Sequence, residues 1–264
     1  MPRESGRKEK SNHYSDDWII RDKMIRFSML SDPGMRANNE DSVGMYQNGE
    51  TYCFILADGL GGHGKGELAS QLAVQSVIEE FVSENSEKDF MDRAFLCAQD
   101  TIMKEQEADR SASDMKTTLV ILQVGESRIR WGHIGDSRLY YFQNNRLMDR
   151  TFDHSVPQML VTIGEIKEKQ IRCHPDRNRL LKVLGAETDE LKYQLSDKVH
   201  KEGKQAFLLC SDGFWELIEE KKMEKALKAS SCPEEWLEVM KAIVVKNGRN
   251  TDMDNYSAIA VWTY

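Results

Sequence analysis

Paired cysteines, long apolar runs and an excess of basic residues are all lacking from this 264-residue sequence. The cysteines number five and no two of them form a C-x-x-C pair, which favours a reduced intracellular protein over a disulfide framework. No apolar run is long enough to span a bilayer, and the first ten residues lack the apolar core of a secretory signal. These absences predict a cytoplasmic protein with no membrane partner.

The charge balance is acidic, with a formal net charge of -8. Nucleic acids and anionic membranes bind basic surfaces, so neither is expected to be the main partner. Hydrophobic residues make up 40% of the chain and charged residues 30%, as expected for a globular protein with a hydrophobic core. Residues 1–23 are polar and predict a flexible N-terminal arm, which leaves 24–264 as one folded domain.

The hydrophobic pattern predicts two strand-rich blocks around a pair of helices. Strands are expected over 24–30, 42–48, 51–57, 117–124, 128–134, 138–142, 146–149, 206–210 and 256–262. Helices are expected over 67–82, 87–106, 156–163, 179–184 and 233–246. Because strands and helices do not alternate regularly, this order favours an α+β fold of packed, mostly antiparallel sheets with helices outside.

Five short aspartate motifs lie beside runs that predict strands, and they are Asn39-Glu40-Asp41, Asp58-Gly59, Gly135-Asp136, Ser211-Asp212-Gly213 and Asp254-Asn255. Aspartate is depleted inside strands, and carboxylates so far apart in sequence can converge only in the folded state. Convergent carboxylates repel one another unless a cation neutralises them. Carboxylate oxygens select Mg²⁺ or Mn²⁺ over zinc, so the motifs predict a metal-dependent hydrolase with its site at the rim of a β-scaffold.

Each motif also has a simpler interpretation when it is taken alone. The glycine-rich run that follows Asp58 is typical of a tight turn with an incidental aspartate. The chain contains three runs in which an apolar strand is followed by aspartate. This repetition disfavours the interpretation as incidental turn residues. Arg36 lies close to the acidic group at Asp41, where it could bind a phosphate bidentately or form a salt bridge in a surface loop.

With these motifs, the chain resembles the type 2C metal-dependent serine/threonine protein phosphatases, the PPM family, in their bacterial form. The matching segments occur in the family's order and are 32–42, 57–70, 116–120, 132–140, 153–155, 174–178, 208–216 and 254–257. Each is moderately specific, and the ordered set is strongly specific. The resemblance covers the chain from about Arg26 onward and implies a four-layer αββα sandwich of two mostly antiparallel sheets flanked by helices.

The resemblance implies a set of metal ligands. Asp58 would bridge two Mn²⁺ or Mg²⁺ ions, and the carbonyl of Gly59 with waters would complete the shell of one ion. Asp212 and Asp254 would bind the other ion. Asp136 together with Asp212 would hold a weaker third ion.

The resemblance also implies the roles of residues around the ions. Arg36 would bind the phosphate, while Asp41 and Glu40 would lie at the rim, with Asp41 acting through a metal-bound water. Residues 164–178 would form a flap beside the cleft that influences substrate choice. Leu60 stands where animal members carry a histidine general acid, and His63, three residues further on, does not inherit that role.

Two smaller departures from the family pattern are Lys116, in place of a glycine, and Tyr256, in place of a small aliphatic residue. Neither change removes a ligand.

The implied reaction is hydrolysis of phosphoserine and phosphothreonine in proteins by a metal-activated water, without a covalent intermediate. Arg36 and Asp58 are the residues expected to act in catalysis. The resemblance further implies a monomer and a cognate serine/threonine kinase as a partner. Two alternatives remain open at this stage. One is a catalytically silent binding module on the same scaffold, and the other is a hydrolase of small phosphate esters.

Overall fold

The computed structural model describes residues 25–61, 65–83 and 90–264. The strands are β1 Arg26–Asp32, β2 Asp41–Asn48, β3 Thr51–Leu60, β4 Lys116–Thr117, β5 Leu119–Val124, β6 Arg128–Ile134, β7 Arg138–Gln143, β8 Arg146–Arg150, β9 Gln194–Leu195, β10 Val199–His200, β11 Gln205–Cys210 and β12 Tyr256–Thr263. The predicted arm over 1–23, the predicted helix start at 87 and His63 lie outside the described residues.

Six α-helices accompany the strands in these ranges, and they are α1 Lys65–Ser83, α2 Phe90–Ala108, α3 Val156–Thr162, α4 Asp212–Trp215, α5 Glu220–Ala229 and α6 Pro233–Gly248. Two 3₁₀ helices cover Arg110–Ala112 and Glu168–Cys173. Within the described part of the chain, no helix is both long and apolar enough to cross a membrane.

Two sheets form the centre of the molecule. One has the order β1-β12-β11-β7-β8, and the other has the order β10-β6-β5-β3-β2, with β4 beside β3 and β9 beside β6. Every pairing between these strands is antiparallel. The predicted sheet arrangement is therefore confirmed.

Alternation along β3 shows how the layers are built. Phe54 and Leu56 point toward the other sheet, where they meet Phe207 of β11 in a core that contains residues of both sheets. Cys53 and Ile55 point the opposite way, into a core shared with α1 and α2. Because successive strand side chains face opposite sides, a continuous apolar strand can fill two cores at once. The predicted four-layer sandwich follows from this alternation.

The other sheet is covered in the same way by α5 and α6. Leu208 and Cys210 of β11 face these helices, and Trp236 of α6 is fully buried there. The ring of Trp236 lies 5.4 Å from that of Phe142 in an edge-on arrangement. Aromatic rings pack favourably in this geometry, which fixes α6 against the sheet.

One sequence interpretation is wrong, and one helix was missed. Residues 179–184 form no helix, because Leu180 pairs with Ser155 and Leu184 pairs with Thr117 in isolated bridges. The charged run at 219–222 is mostly exposed and leads into α5, a helix that was not predicted. That helix buries Met223, Ala226 and Leu227, so the spacing of its apolar residues already contained the signal.

Candidate metal centre

The strand alternation places Asp58 at one end of the layer between the sheets. Asp58 follows Phe54 and Leu56 at two-residue steps on β3, so it belongs to the face that meets the other sheet. Asp41, the first residue of β2, is paired with Asp58 in the antiparallel register. Residues directly opposite in such a pair have side chains on the same face, so the two carboxylates are neighbours.

The remaining aspartates reach the same end of the sandwich from other elements. Asp136 lies in the turn between β6 and β7, and Asp212 is the first residue of α4, directly after β11. The indole Nε1 of Trp215 on α4 donates a hydrogen bond to the main-chain oxygen of Asp136 at 3.0 Å. This bond ties the two aspartate-bearing segments together across 79 residues of sequence.

Asn255 ties the last aspartate, Asp254, to the loop that carries Arg36. Its Oδ1 accepts from the backbone N–H of Glu40 at 2.7 Å, and its Nδ2 donates to the carbonyls of Pro33 and Asn38, both at 2.9 Å. The sequence marked Asn255 as part of a motif but did not reveal this role, because its partners lie more than 200 residues away.

Two glycines allow the backbones of the site to approach closely. A Cβ at Gly59 would lie 2.0 Å from the carbonyl oxygen of Gly66, and one at Gly213 would lie 2.1 Å from that of Asn255. Both atoms belong to the backbone and cannot move aside easily. Glycine is therefore required at both positions for steric reasons alone, independently of any role in metal binding.

The paired threonines hold the backbone of Asp58. Thr118 Oγ1 accepts from the N–H of Asp58 at 2.9 Å, and the N–H of Thr118 donates to the Asp58 carbonyl at 2.9 Å. Thr117 Oγ1 donates to the same carbonyl at 2.8 Å. Lys116 pairs with Leu60 in the adjoining β-bridge, so its departure from the family pattern leaves these bonds intact.

Asp41 is not at the rim of the cleft, where the resemblance placed it. Its exposed fraction is 7%, and Ser211 Oγ donates a hydrogen bond to its Oδ2 at 2.7 Å. Its other oxygen, Oδ1, is buried without a hydrogen-bond partner among the described residues. A buried, partly unsatisfied carboxylate of this kind fits the neighbourhood of a cation.

Burial and mutual repulsion raise the pKa values of the clustered carboxyls. Burial raises the pKa of Asp41 to about 7 and that of Asp212 to about 6, and neighbouring carboxylates add to both shifts. The pKa values of Asp58 and Asp136 are raised well above the usual range, first by burial and then by the charges of the other aspartates. A bound cation would relieve both effects.

These carboxylates suit hard divalent cations that keep part of their water shell. Among residues 25–61, 65–83 and 90–264, no three His, Cys, Asp or Glu side chains are arranged to hold one ion together. Mg²⁺ commonly binds through one or two carboxylates and retains several waters, so an all-oxygen site built from pairs of aspartates fits it. The donor chemistry therefore fits the predicted ions.

Arg36 lies at the same cleft, paired with one of the predicted ligands. Its Nε and Nη2 donate to the two carboxylate oxygens of Asp254 at 3.0 and 3.1 Å, and its Nη1 donates to Asp252 at 3.0 Å. Hydrogen bonding to Asp254 is the main reason that the pKa of Arg36 is raised. To bind phosphate, the guanidinium of Arg36 has to release Asp254, or it has to bond to the phosphate and to Asp254 at the same time.

The structure brings most of the predicted site residues into one cleft of about 460 Å³. Its lining includes Arg36, Glu40, Asp58, Gly59, Asp136, Asp212 and Asp254. Asp41 does not line the cleft and lies beside it, in contact with Ser211. The structure thus brings six of the seven predicted site residues together at the cleft and places Asp41 beside it.

A buried arginine contacts Trp215, the residue that bonds to the Asp136 carbonyl. Arg138 and Asp153 form two hydrogen bonds of 2.7 Å with side chains that are each 1% exposed. The guanidinium carbon of Arg138 lies 3.4 Å from the centre of the Trp215 ring, which in turn holds the Asp136 carbonyl. Both charged residues lie in quoted motifs, but the stack on Trp215 could not be read from the sequence.

The histidines near the cleft have a structural role. His133 and His154 stack with ring centres 4.7 Å apart, and the backbone N–H of Gly135 donates to His154 Nδ1 at 3.2 Å. Burial lowers the pKa of His154 to about 3, so its ring stays neutral at ordinary pH. The pair therefore supports the turn before Asp136.

Comparisons with known proteins identify the family of this chain. The family model described as protein phosphatase 2C matches residues 35–245. The serine/threonine phosphatase Stp of Listeria monocytogenes is 30% identical over 240 residues, which cover 86% of this chain and 91% of Stp. PstP of Mycobacterium tuberculosis is 32% identical over 215 residues, which cover 80% of this chain and 40% of PstP. The chain belongs to the protein phosphatase 2C family.

Solved structures show the same fold. A crystal structure of Mycobacterium tuberculosis PstP matches with a TM-score of 0.78 and 28% identity, over 90% of this chain and 97% of that one. A structure of the PstP catalytic domain in complex with two manganese ions also has a TM-score of 0.78, at 27% identity, over 92% of this chain and 99% of that one. The resemblance and the fold predicted from the sequence are both confirmed.

The raised pKa values predict that the metal-free protein loses stability as the pH rises. The native state retains protons that the unfolded chain releases above about pH 4. The retained protons stabilise the native state at low pH. This stabilisation is lost as the pH rises from about 4 through the native pKa values, which are about 6 for Asp212 and about 7 for Asp41. In EDTA, we expect Tm to fall by about 5 °C or more from pH 5 to pH 8.

Thermal unfolding at several pH values, with EDTA and with Mn²⁺, measures this effect. Added Mn²⁺ should raise Tm more at pH 8 than at pH 6, because protons compete with the ion for the carboxylates. Asp41→Asn should make the fall in EDTA smaller. A Tm in EDTA that stays level or rises over this interval would contradict the charge repulsion described above.

Proposed function

We propose that the chain hydrolyses phosphoserine and phosphothreonine in proteins with two Mn²⁺ or Mg²⁺ ions. The observation that carries the proposal is the cleft of about 460 Å³, where four aspartates and Arg36 meet at the ends of two sheets. Membership of the protein phosphatase 2C family supports the same activity. All the expected aspartates are present, which leaves the silent-module alternative without an observation in its favour.

The residues would share the ions as follows. Asp58 and the Gly59 carbonyl would serve one ion. Asp58, Asp212 and Asp254 would serve the other. Because the described side chains form no such group of three, Asp254 would have to turn from Arg36 toward the ion. Asp136 with Asp212 would hold a weaker third ion. Such a metal pair, when bound, supplies an activated water and stabilises charge on the phosphoryl oxygens.

The chain's own groups position the substrate and keep the site in shape. Arg36 presents a planar guanidinium at the cleft and can bind a phosphate through two parallel hydrogen bonds. Thr117 and Thr118 fix the Asp58 backbone, and Ser211 orients Asp41. These contacts hold the carboxylates in place before the substrate arrives, which lowers the reorganisation needed for catalysis.

Direct attack by water, without a phosphoenzyme, is consistent with the cysteines. None of the residues that line the cleft is a cysteine. Cys53 and Cys210 are fully buried in the cores, and burial raises the pKa of both thiols. A buried thiol with a raised pKa is a poor nucleophile. Cys173 is exposed, but it lines the neighbouring groove and not the cleft itself.

The proposal extends to the context of the enzyme. Phosphoproteins made by a serine/threonine kinase would be its substrates, and it would act as a cytoplasmic monomer. Residues 24–264 would form the phosphatase domain, and 1–23 a flexible arm. Support for the single domain comes from the two sheets, which together include strands from Arg26 to Thr263.

Phosphate release from a phosphothreonine peptide tests the function. We expect release with Mn²⁺ or Mg²⁺ and at least about a 100-fold loss with EDTA, because the bound ions would supply the activated water. A small phosphate ester at matched concentration separates a protein phosphatase from a hydrolase of small esters. Equal release from the peptide with metal and with EDTA would refute the metal-dependent reaction.

A further inference from the structure

A second groove, of about 900 Å³, opens from the metal cleft. The two share four lining residues, which are Arg36, Asn178, Asp212 and Asp254. A phosphorylated side chain that reaches the metals would therefore leave the neighbouring residues of its polypeptide at the mouth of this groove. The family resemblance assigned an influence on substrate choice to the flap at 164–178, but it assigned nothing to the opposite wall.

The groove has an apolar floor and charged walls. Leu217, Ile218 and Met253 line its floor, and Ile243 of α6 lies beside them. One wall is formed by the flap residues 172–178, and the other by the start of α5 and the end of α6. An apolar floor with polar groups above it is typical of binding sites.

The flap wall is held in place by Arg172. Its Nε donates to the Trp215 carbonyl at 3.2 Å, and its Nη2 donates to the Ile218 carbonyl at 3.2 Å and to Glu220 at 2.7 Å. These bonds join the flap to the end of α4 at Trp215, to the following turn at Ile218 and to the start of α5 at Glu220. The groove is thus formed before a ligand binds, so little ordering is needed on binding.

Most charges along the groove are already paired. Arg36 bonds to Asp252 at 3.0 Å, Arg177 bonds to Glu216 at 3.2 Å, and Arg172 bonds to Glu220 at 2.7 Å. Aside from the aspartates assigned to the ions, the groove's charges without an ion pair among the described residues are Lys222, Lys246 and Glu219.

Lys222 and Lys246 are both exposed, and they lie at the start of α5 and near the end of α6. The groove lining as a whole holds equal numbers of basic and acidic side chains, and it has an excess of positive charge once ions neutralise Asp212 and Asp254. That excess contrasts with the net charge of -8 for the whole chain. Charge complementarity favours a ligand segment that carries carboxylates.

We propose that this groove binds the substrate polypeptide beside its phosphorylated residue and selects acidic side chains there through Lys222 and Lys246. The inference rests on the proposed phosphatase function and names the class of its substrates. It assigns a specificity role to the α5–α6 wall.

Matched phosphothreonine peptides provide the test. The peptides differ only by two Glu, two Gln or two Lys residues, placed either before or after the phosphothreonine. For the full chain with Mn²⁺ at low salt, we expect kcat/KM to be about 3- to 10-fold higher for the Glu peptide than for the Gln peptide on one side, the range of one or two exposed ion pairs. The preference should shrink at high salt.

Two double variants separate the groove from the charge of the whole protein. Lys222→Glu/Lys246→Glu should abolish or reverse the preference, so that the Lys peptide becomes the better substrate. Lys228→Glu/Lys241→Glu makes the same change in net charge on the same two helices, at residues that do not line the groove. That control should keep the preference of the natural protein.

Three results would overturn the inference. Equal kcat/KM for all peptides with the natural protein would overturn the inference and leave the phosphatase function standing. Equal loss of preference in both double variants would also overturn it, because the effect would then come from net charge. If the natural protein releases phosphate from no peptide with either metal, the proposed function fails, and the inference fails with it.

Discussion

Replacing Asp58 by asparagine is expected to lower kcat by about 1,000-fold or more. Loss of a residue behind a metal ligand commonly costs 10- to 100-fold, and Asp58 is the proposed bridge between both ions, so its loss should cost more. Asparagine has nearly the same shape, and the backbone bonds to Thr117 and Thr118 do not involve the carboxylate. The variant should therefore remain folded.

Steady-state phosphate release with Mn²⁺ measures the loss, and calorimetric titration of Mn²⁺ should show weaker binding. Asp197→Asn is a suitable control, because Asp197 is exposed and does not line the cleft. That control should retain the activity and the metal affinity of the natural protein. Activity of Asp58→Asn within tenfold of the natural protein would exclude Asp58 as the bridging ligand.

Replacing Arg138 by methionine is expected to lower the free energy of unfolding by about 3–5 kcal/mol, because it leaves the carboxylate of Asp153 buried without its partner. Both side chains of this pair are 1% exposed. The substitution also removes the guanidinium from the face of Trp215, whose indole N–H holds the Asp136 carbonyl. Unfolding in urea, monitored by fluorescence, measures the change in stability.

Two further variants test the cause of this loss. Arg138→Met/Asp153→Leu should recover part of the stability, since replacing both members of a buried pair by apolar residues is often neutral. Lys192→Met breaks an exposed pair with Glu190, whose side chains are 66% and 79% exposed, and should cost less than about 1 kcal/mol. A similar small cost for Arg138→Met would show that the buried pair contributes little.

Local features of the chain explain the predictions that were confirmed. The strands predicted over 42–48 and 51–57 are β2 and β3, and Gly49 adopts a φ of 59° in the turn between them. The run before Asp58 is apolar throughout because both of its faces are buried. Strand and turn chemistry acts over a few residues, so a single sequence reports it directly.

The incorrect predictions share a different cause. Residues 179–184 contain short apolar spacing that fits a helix, but Leu180 and Leu184 are held in bridges to Ser155 and Thr117. Pairing with distant strands overrides such a weak local preference. Asp41 was placed at the rim by the family resemblance, whereas the bond from Ser211, 170 residues away, holds it in the interior.

The sequence by itself determined the class of fold, the family and the set of aspartates that meet at the cleft, since strand patterns and ordered motifs depend on neighbouring residues. Only the tertiary structure decided that Arg36 pairs with Asp254, that Arg138 stacks on Trp215 and that two lysines face a groove beside the cleft. Each of these contacts joins segments far apart in the chain. Their geometry depends on how the sheets and helices pack, which no local pattern contains.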